Sequence, residues 1–339
     1  MDNFSFDMGF FELKEESSFP KQTHRWHRVK VKDYKNGWHV NKSQIEMVQH
    51  FSGVAPTESD FQQYIKSLIP GSFGLMATFK LTSPYHSRDE LEYLRASGDR
   101  NIPLNPVLKE HTWVVPMIRG SLWKGWLFKA AKYYLQDQIE NHAISAKKVA
   151  EIYCAISRIF GTGSDEFRKF QKEIDNNYVI TDLLIEYALF ELGSNFSYRK
   201  SDGQSIAEAV LEQMRTVKYG DAVFPARRGR LICYPSYFDR VDYEVINLHD
   251  PVKRKGKRAV SFETVPAQTR GILQLVYIPF DLILVPESEV TKEAEEDQKL
   301  LEEWITKLFQ YHGIGAKTKL GWGRGECSTD GRWFYSWKR

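Results

Sequence analysis

Three stretches hold side chains that could do chemistry. The polar segment from residue 82 to about residue 115 carries His86, Asp89, Glu90 and Asp99. An imidazole near carboxylates can move a proton or hold a metal ion, although such charges also simply solvate a loop. The segment contains proline and is long for a connection without regular structure, which predicts a functional or mobile loop. Near the C-terminus, five glycines fall between residues 313 and 325: Gly313, Gly315, Gly321, Gly323 and Gly325. Lys317, Thr318, Lys319 and Arg324 stand among them, and no acidic residue does. Glycine leaves the backbone bare and admits positive φ, so successive N–H groups can form a concave anion site. With the added cations, the matching ligand is a polyphosphate or a nucleic-acid backbone. The alternative is a glycine-rich turn joining a helix to a strand. Third, Lys253, Arg254, Lys255, Lys257 and Arg258 surround Gly256. Like charges crowded in one hairpin tip repel one another, which favours a polyanionic partner.

The glycine stretch is not a common nucleotide motif. A dinucleotide fingerprint follows a strand and opens a helix, whereas this stretch follows an amphipathic helix and precedes a strand. The Gly-Lys-Ser/Thr of a phosphate-binding P-loop is absent as well. Trp322 could pack beneath the loop or stack on a base. A further anion site is expected where a helix begins after Arg119, with Ser121 as its N-cap and free N–H groups carrying partial positive charge. Leu122, Trp126, Ala130, Tyr133 and Tyr134 recur there at helical spacing. Lys124, Lys129 and Lys132 follow a phosphate chain or form a snorkelling lysine face. Gly125 inside that helix costs about 1 kcal/mol relative to alanine, which predicts a close neighbour at that position.

These residues need elements to hold them. The 339 residues allow one large domain or two. A net charge of only +3 means that any nucleic-acid surface must come from local clustering. The three cysteines are far apart and form no Cys-x-x-Cys pair. That argues against a zinc site or disulfide framework and suits a reducing cytoplasm. No apolar run has membrane-spanning length and no signal pattern opens the chain, so a soluble cytoplasmic protein without a membrane partner is expected. Residues 1–70 read as an extension with two short helices, near 43–51 and 58–68. Its basic, aromatic-laced stretch 21–35 suits RNA or a solvated strand. Strands are expected at 74–81, 229–234, 243–248, 259–265, 271–279 and 324–328, with a strand-like segment at 332–337. Helices follow residue 121 and span 288–311. A helical insertion at about 140–226, with helices 146–160, 165–174, 182–192 and 205–216, carries no chemistry on this reading. With the extension, the insertion and a basic hairpin at about 239–269 set aside, residues 71–339 reduce to an α+β, ferredoxin-like (RRM-like) β-α-β-β-α-β core.

Four segments resemble, in order, the RAMP superfamily of CRISPR-associated proteins. Ile118-Arg119-Gly120-Ser121-Leu122-Trp123-Lys124-Gly125 resembles its Pro-Gly-Ser-Ser-Leu-Lys-Gly helix start. Ile159-Phe160-Gly161-Thr162 and Arg228-Gly229-Arg230-Leu231 resemble its Phe-Gly segment and Gly-Arg-Leu strand. Glu263-Thr264-Val265-Pro266-Ala267-Gln268-Thr269 resembles its Glu-x-Val-Pro-x-x-Thr segment, and residues 313–325 its glycine-rich loop. The resemblance runs over about residues 72–330 and leaves out the extension and helices 165–216.

It implies a backbone subunit of a type III CRISPR effector ribonucleoprotein, with guide RNA, complementary target RNA and other effector subunits as partners. Arg119, Ser121, Lys124 and the glycine loop would then contact guide phosphates, and residues 253–258 would touch RNA or a neighbour. Such subunits often cut target RNA with an aspartate just before a residue–Pro pair. Here Leu104 holds that position, which leaves Asp89, Asp99 and His86 as candidates. Cleavage would use the RNA 2′-OH as nucleophile, with a carboxylate as base or as ligand of a divalent metal such as Mg. The alternatives are a guide-processing endoribonuclease of the same superfamily, with His86 or His24 as base, and a non-catalytic capping or docking subunit.

Overall fold

The computed structural model describes residues 37–89, 104–141, 144–193, 205–219, 228–249 and 256–337. Strand β1 (Trp38–His39) leads into helices α1 (Lys42–Phe51) and α2 (Glu58–Lys66), then into β2 (Phe73–Leu81). Short strands β3 (Leu104–Asn105), β4 (Lys109–Glu110) and β5 (Val115–Ile118) precede the long helix α3 (Gly120–Asn141). A helical block follows: α4 (Ala146–Phe160), α5 (Asp165–Asp175), α6 (Tyr178–Glu186) and α7 (Ile206–Tyr219). Then come β6 (Leu231–Cys233), β7 (Ser236–Tyr237), β8 (Arg240–His249), β9 (Gly256–Thr264) and β10 (Arg270–Tyr277). Helix α8 (Glu287–Lys307), β11 (Gly325–Cys327) and β12 (Trp333–Tyr335) complete the chain. Many helix starts are set by the expected residue type. The side chains of Asn41, Thr57, Ser145 and Ser164 each accept a first-turn N–H.

The main sheet is antiparallel, in the order β6-β10-β2-β11, with β12 also on β2. Alternation along β2 sorts its side chains between two faces. Phe73, Leu75, Ala77, Phe79 and Leu81 are fully buried in the large core shared with α3, α4 and α8. On the other face, Met76 and Val276 pack against Phe61 and Ile65 of α2. A Cβ on Gly74 would lie 2.6 Å from both of those side chains, so only glycine admits α2 this close. One face of the sheet is therefore partly covered by a helix that the sequence reading assigned to the extension.

The segment after β2 has more structure than expected. Tyr85 bridges Val265 and Arg88 bridges Val107, while β3 pairs in parallel with β9 and β4 pairs with β5. The reason is a buried ion pair between Lys109 and Glu263. The same Glu263 carboxylate accepts the Val107 N–H at 3.2 Å and so ties the segment to β9. Strands β8 and β9 form the expected hairpin, with an irregularity at Leu248 and His249.

The helical block also departs from expectation. Its apolar residues, from Val149 of α4 to Leu211 of α7, belong to the same buried cluster as the sheet. The helix expected at 182–192 starts earlier, at Tyr178, because Asn177 caps it, and it ends in a π turn at Tyr187–Glu191. The block also contributes a charge to the interior. Arg158 of α4 makes a bidentate contact to Asp297 of α8, with Nε 2.9 and 2.8 Å from the two carboxylate oxygens. Beside it, Arg230 is fully buried and donates to Asp281 at 2.6 and 2.7 Å, to Glu293 at 2.6 Å and to the Tyr277 hydroxyl at 2.7 Å. The Tyr277 hydroxyl donates onward to Asp297 at 2.7 Å, and Lys218 of α7 closes on Glu293. Burial alone would raise the Glu293 carboxyl, but Arg158, Arg230 and Lys218 around it hold it well below the usual range.

Removing one partner from such a network leaves buried charges without compensation. Arg230→Leu should lower stability by about 3–5 kcal/mol in chemical denaturation. Lys42→Leu, which deletes an exposed pair with Glu46, should change it by less than about 1 kcal/mol.

Candidate nucleic-acid interface

Helix α3 starts two residues earlier than its sequence suggests. The Arg119 carbonyl accepts the N–H groups of Leu122 and Trp123 at 3.0 and 3.2 Å, so Arg119 is the cap and Ser121 lies exposed in the first turn. The physical reason is Gly120. A Cβ there would lie 2.0 Å from the Cys233 carbonyl oxygen, so the helix start presses directly on β6. The close approach expected at Gly125 thus occurs at Gly120. Gly125 itself is exposed, with nothing within 4 Å of where its Cβ would be. Ser121, Gly125, Lys129 and Tyr133 form one i, i+4 row along the solvent side of α3. Lys124 lies off this row and is half-buried; burial lowers its pKa, and the nearby Arg228 cation acts in the same direction.

The glycine stretch begins after a π turn at Leu308–His312. It folds onto the segment after β2: the Ala316 N–H donates to the His86 carbonyl at 2.7 Å, and the Gly323 N–H to the Pro84 carbonyl at 2.8 Å. The Arg324 N–H donates to Ser83 Oγ at 2.8 Å. Within the loop, the Ile314 N–H meets the Gly323 carbonyl at 2.8 Å. Gly323, at φ 72°, has the Ile314 oxygen 1.8 Å from the position of a Cβ, which makes glycine obligatory there. Many of the N–H groups expected to face an anion are therefore engaged inside the protein, and the loop is in part the helix-to-strand turn that was the alternative. Residues 317–319 differ. Lys317 sits at φ 63° and leads into a 3₁₀ turn at Thr318–Leu320. Among the described residues, no backbone carbonyl accepts from the N–H of Lys317, Thr318 or Lys319. Lys317 and Lys319 are exposed, with Thr318 half-buried between them.

Around this turn, Lys317 Nζ stands 5.3 Å from the Phe262 ring centroid, and Arg324 donates to the Gln310 carbonyl at 2.9 Å. Trp322 packs edge-on against Phe262, at 5.7 Å, and His86, at 6.4 Å, so it supports the loop from beneath. The π turn brings in a residue the sequence reading missed. His312 stacks on Tyr133 with ring centroids 4.8 Å apart, and Lys129 and Arg324 are among its charged neighbours. The sequence signal for His312 was only its place next to Gly313.

The candidate acid–base residues lie deeper. His86 is buried, with Nδ1 2.8 Å from the Glu263 carbonyl. Burial pulls its pKa down to about 4, against the raising effect of that hydrogen bond. Asp89 is also buried; its N–H donates to the Pro106 carbonyl at 3.1 Å, and Oδ2 lies 3.8 Å from His111 Nε2. Leu104 begins β3. Glu90, Asp99, Lys253, Arg254, Lys255 and the basic stretch 21–35 lie outside the described residues, and Lys257 and Arg258 are described only as backbone of β9. Among the described residues, no three His, Cys, Asp or Glu side chains converge to hold a metal ion.

Most of the main sheet, the start of α3, Arg230 with β6 and the glycine loop fall within residues 78–326, which match the family model of the RAMP superfamily. The chain belongs to the RAMP superfamily. Among solved structures, this RAMP protein is similar to a chain of the type III-B Cmr-beta complex bound to cognate target RNA, seen by cryo-electron microscopy. The two share 12% identity at a TM-score of 0.40, over 84% of this chain and 66% of that one, just under two thirds of its length. It is also similar to Cmr6 from Pyrococcus furiosus, at 15% identity and a TM-score of 0.31, over 75% of this chain and 97% of that one. No curated protein matches. No helix among the described residues is long and apolar enough to cross a membrane.

The buried imidazole gives a pH signature. His86 titrates at about 4 when folded against 6.5 when free, so the unfolded chain takes up the proton first. Stability is therefore retained above about 6.5 and lost as pH falls towards 4, by roughly 3 kcal/mol at most. Urea denaturation at pH 7 and at about pH 4 should show a drop smaller by up to that amount in His86→Leu than in the unaltered protein.

Proposed function

We propose that this RAMP protein is a guide-RNA-binding subunit of a type III CRISPR effector complex in the cytoplasm. In that role it holds guide RNA, helps to bind complementary target RNA and assembles with other effector subunits. One observation carries the reading: the π turn that opens the glycine loop meets the exposed row of α3 where His312 stacks on Tyr133. Lys129 comes from one side and Arg324 from the other, and His312 lies among both charges. A phosphate chain passing the row would meet the bare backbone at Gly125, then Lys129, then the loop cations. The core is read as ferredoxin-like, a reading supported by the element order and by the antiparallel order β6-β10-β2-β11. Because α2 covers part of the free sheet face, this reading sends the RNA along the α3 and loop edge rather than across the sheet.

For cleavage, the reading turns on Asp89 and Asp99. A carboxylate would take the proton of the 2′-OH as it attacks the adjacent phosphorus; the P–O5′ bond breaks, leaving a 2′,3′-cyclic phosphate on one fragment and a 5′-oxygen that takes up a proton on the other. Leu104, at the position of the family aspartate, cannot do this. Asp89 reaches RNA only if the segment around it opens, and we assign His86, buried and neutral, to the fold. A non-catalytic scaffold is the second reading, favoured by Leu104 and by the burial of Asp89.

Co-expressed with its partner subunits, the chain should retain discrete small RNAs on a denaturing gel. Lys317→Ala and Lys319→Ala should weaken RNA binding about equally for all sequences and lower the salt slope by about 0.7 each. A binding constant that does not change with salt would refute the phosphate-tracking picture. Gly125 offers a second test. Gly125→Ala should raise stability by about 1 kcal/mol, whereas Gly125→Leu should keep the fold and weaken RNA binding by blocking the bare spot.

A further inference from the structure

We infer that Tyr133 and His312 form a stacking platform for a nucleotide base, flanked by Lys129 and Arg324 for the adjoining phosphates. The inference rests on the RNA-binding reading and adds to it the contact that would hold a base rather than a phosphate.

The two rings lie nearly parallel, 4.8 Å apart with 17° between their planes. They come from different elements, α3 and the π turn before Gly313, so the pair closes only when helix and loop are both in position. Tyr133 is 44% exposed and belongs to no buried cluster, whereas its neighbour Tyr134 packs against the core. The stack therefore does not fill the interior. Aromatic faces left at a surface are the feature that binds single-stranded bases, because every base has a π face.

The charges around the stack fit the same ligand. Lys129 Nζ is 5.7 Å from the Tyr133 centroid, and Arg324 is held beside the π turn by its 2.9 Å bond to the Gln310 carbonyl. Among the described residues neither Lys129 nor Arg324 forms an ion pair, whereas nearby Lys307 is paired with Asp137 at 2.6 Å. Burial and these surrounding cations keep His312 below its ordinary pKa, so at neutral pH it offers a flat neutral ring. From Ser121 to Tyr133 the row spans about 18 Å, in steps of roughly 6 Å. Such steps are of the order of the phosphate spacing of an extended strand, and the row ends at the stack.

The test uses the full chain and two fluorescent probes, an oligoriboadenylate and the same-length oligomer without bases. Tyr133→Ala should weaken the first by about 10-fold and leave the second unchanged. Tyr133→Phe should restore binding, and His312→Ala should repeat the pattern of Tyr133→Ala. Lys129→Ala should weaken both probes and lower the salt slope by about 0.7. Thermal unfolding of Tyr133→Ala should match that of the unaltered chain. Equal weakening of both probes by Tyr133→Ala, or of neither, overturns the platform while leaving the RNA-binding reading intact. Unchanged binding of both probes with loss of a partner subunit would make the stack a protein contact and also overturn it. If the unaltered chain binds neither probe, the RNA-binding reading fails and the platform fails with it.

Discussion

Arg230 is a permanent charge with almost no access to water, and the interior is arranged to meet it. An isolated buried guanidinium is prohibitively costly. The interior therefore supplies Asp281, Glu293 and the Tyr277 hydroxyl from three different segments. Arg158 and Lys218 then balance the remaining carboxylates, so the network holds three cations and three anions from α4, α7, α8, the residue before β6 and the turn after β10. A network of this kind adds little stability over a well-packed apolar core. What it adds here is position, since each member bonds only when α8 stands at one height and rotation against β6. Three residues on, at the end of β6, the Cys233 carbonyl meets the start of α3 at Gly120. The short span 230–233 thus fixes both helices that deliver the candidate interface.

That arrangement explains why the family match and the physical core coincide. The matched residues begin in β2 and end in β11, which encloses both helices and the strand that fixes them. The loop's glycines serve the same end. Gly323 and Gly315 let the chain lie against Ile314 and His86, so the loop is held to the segment after β2 instead of floating over it. That clasp leaves the turn at 317–319 with exposed lysines and, among the described residues, with N–H groups that no backbone carbonyl takes up.

Much of this was legible in the sequence. Alternation and glycine punctuation located β2, β6, β10 and β11, and the 3.6-residue period located α3 and α8, because these signals depend on neighbours within a few residues. What was not legible depended on partners far along the chain. Gly120 and Gly125 look alike in sequence; only the carbonyl of Cys233, more than a hundred residues away, distinguishes the packed glycine from the open one. Lys109 reads as a solvated charge until Glu263 is folded over it, and that missed pair is why the segment before α3 was expected to lack structure. Arg158 looks like an ordinary cation on a charge-mixed helix, yet it joins the helical block to α8.

The candidate interface follows a different rule from the core. Inside, among the described residues, Lys109, Arg158 and Arg230 are each matched by carboxylates, and the matching is what allows their burial. Outside, a net charge of +3 spread over 339 residues gives no general attraction for a polyanion. Recognition then depends on a few charges without an internal mate. At an effective dielectric near that of water, opposite charges about 4 Å apart gain only about 1 kcal/mol, so single lysines cannot hold a strand. Several in a row can, because each releases counterions from the same chain, and rings beside them add an attraction that salt does not screen. The rigidity built around Arg230 lets those small terms act together, since it fixes α3 and the loop in one arrangement before any ligand arrives.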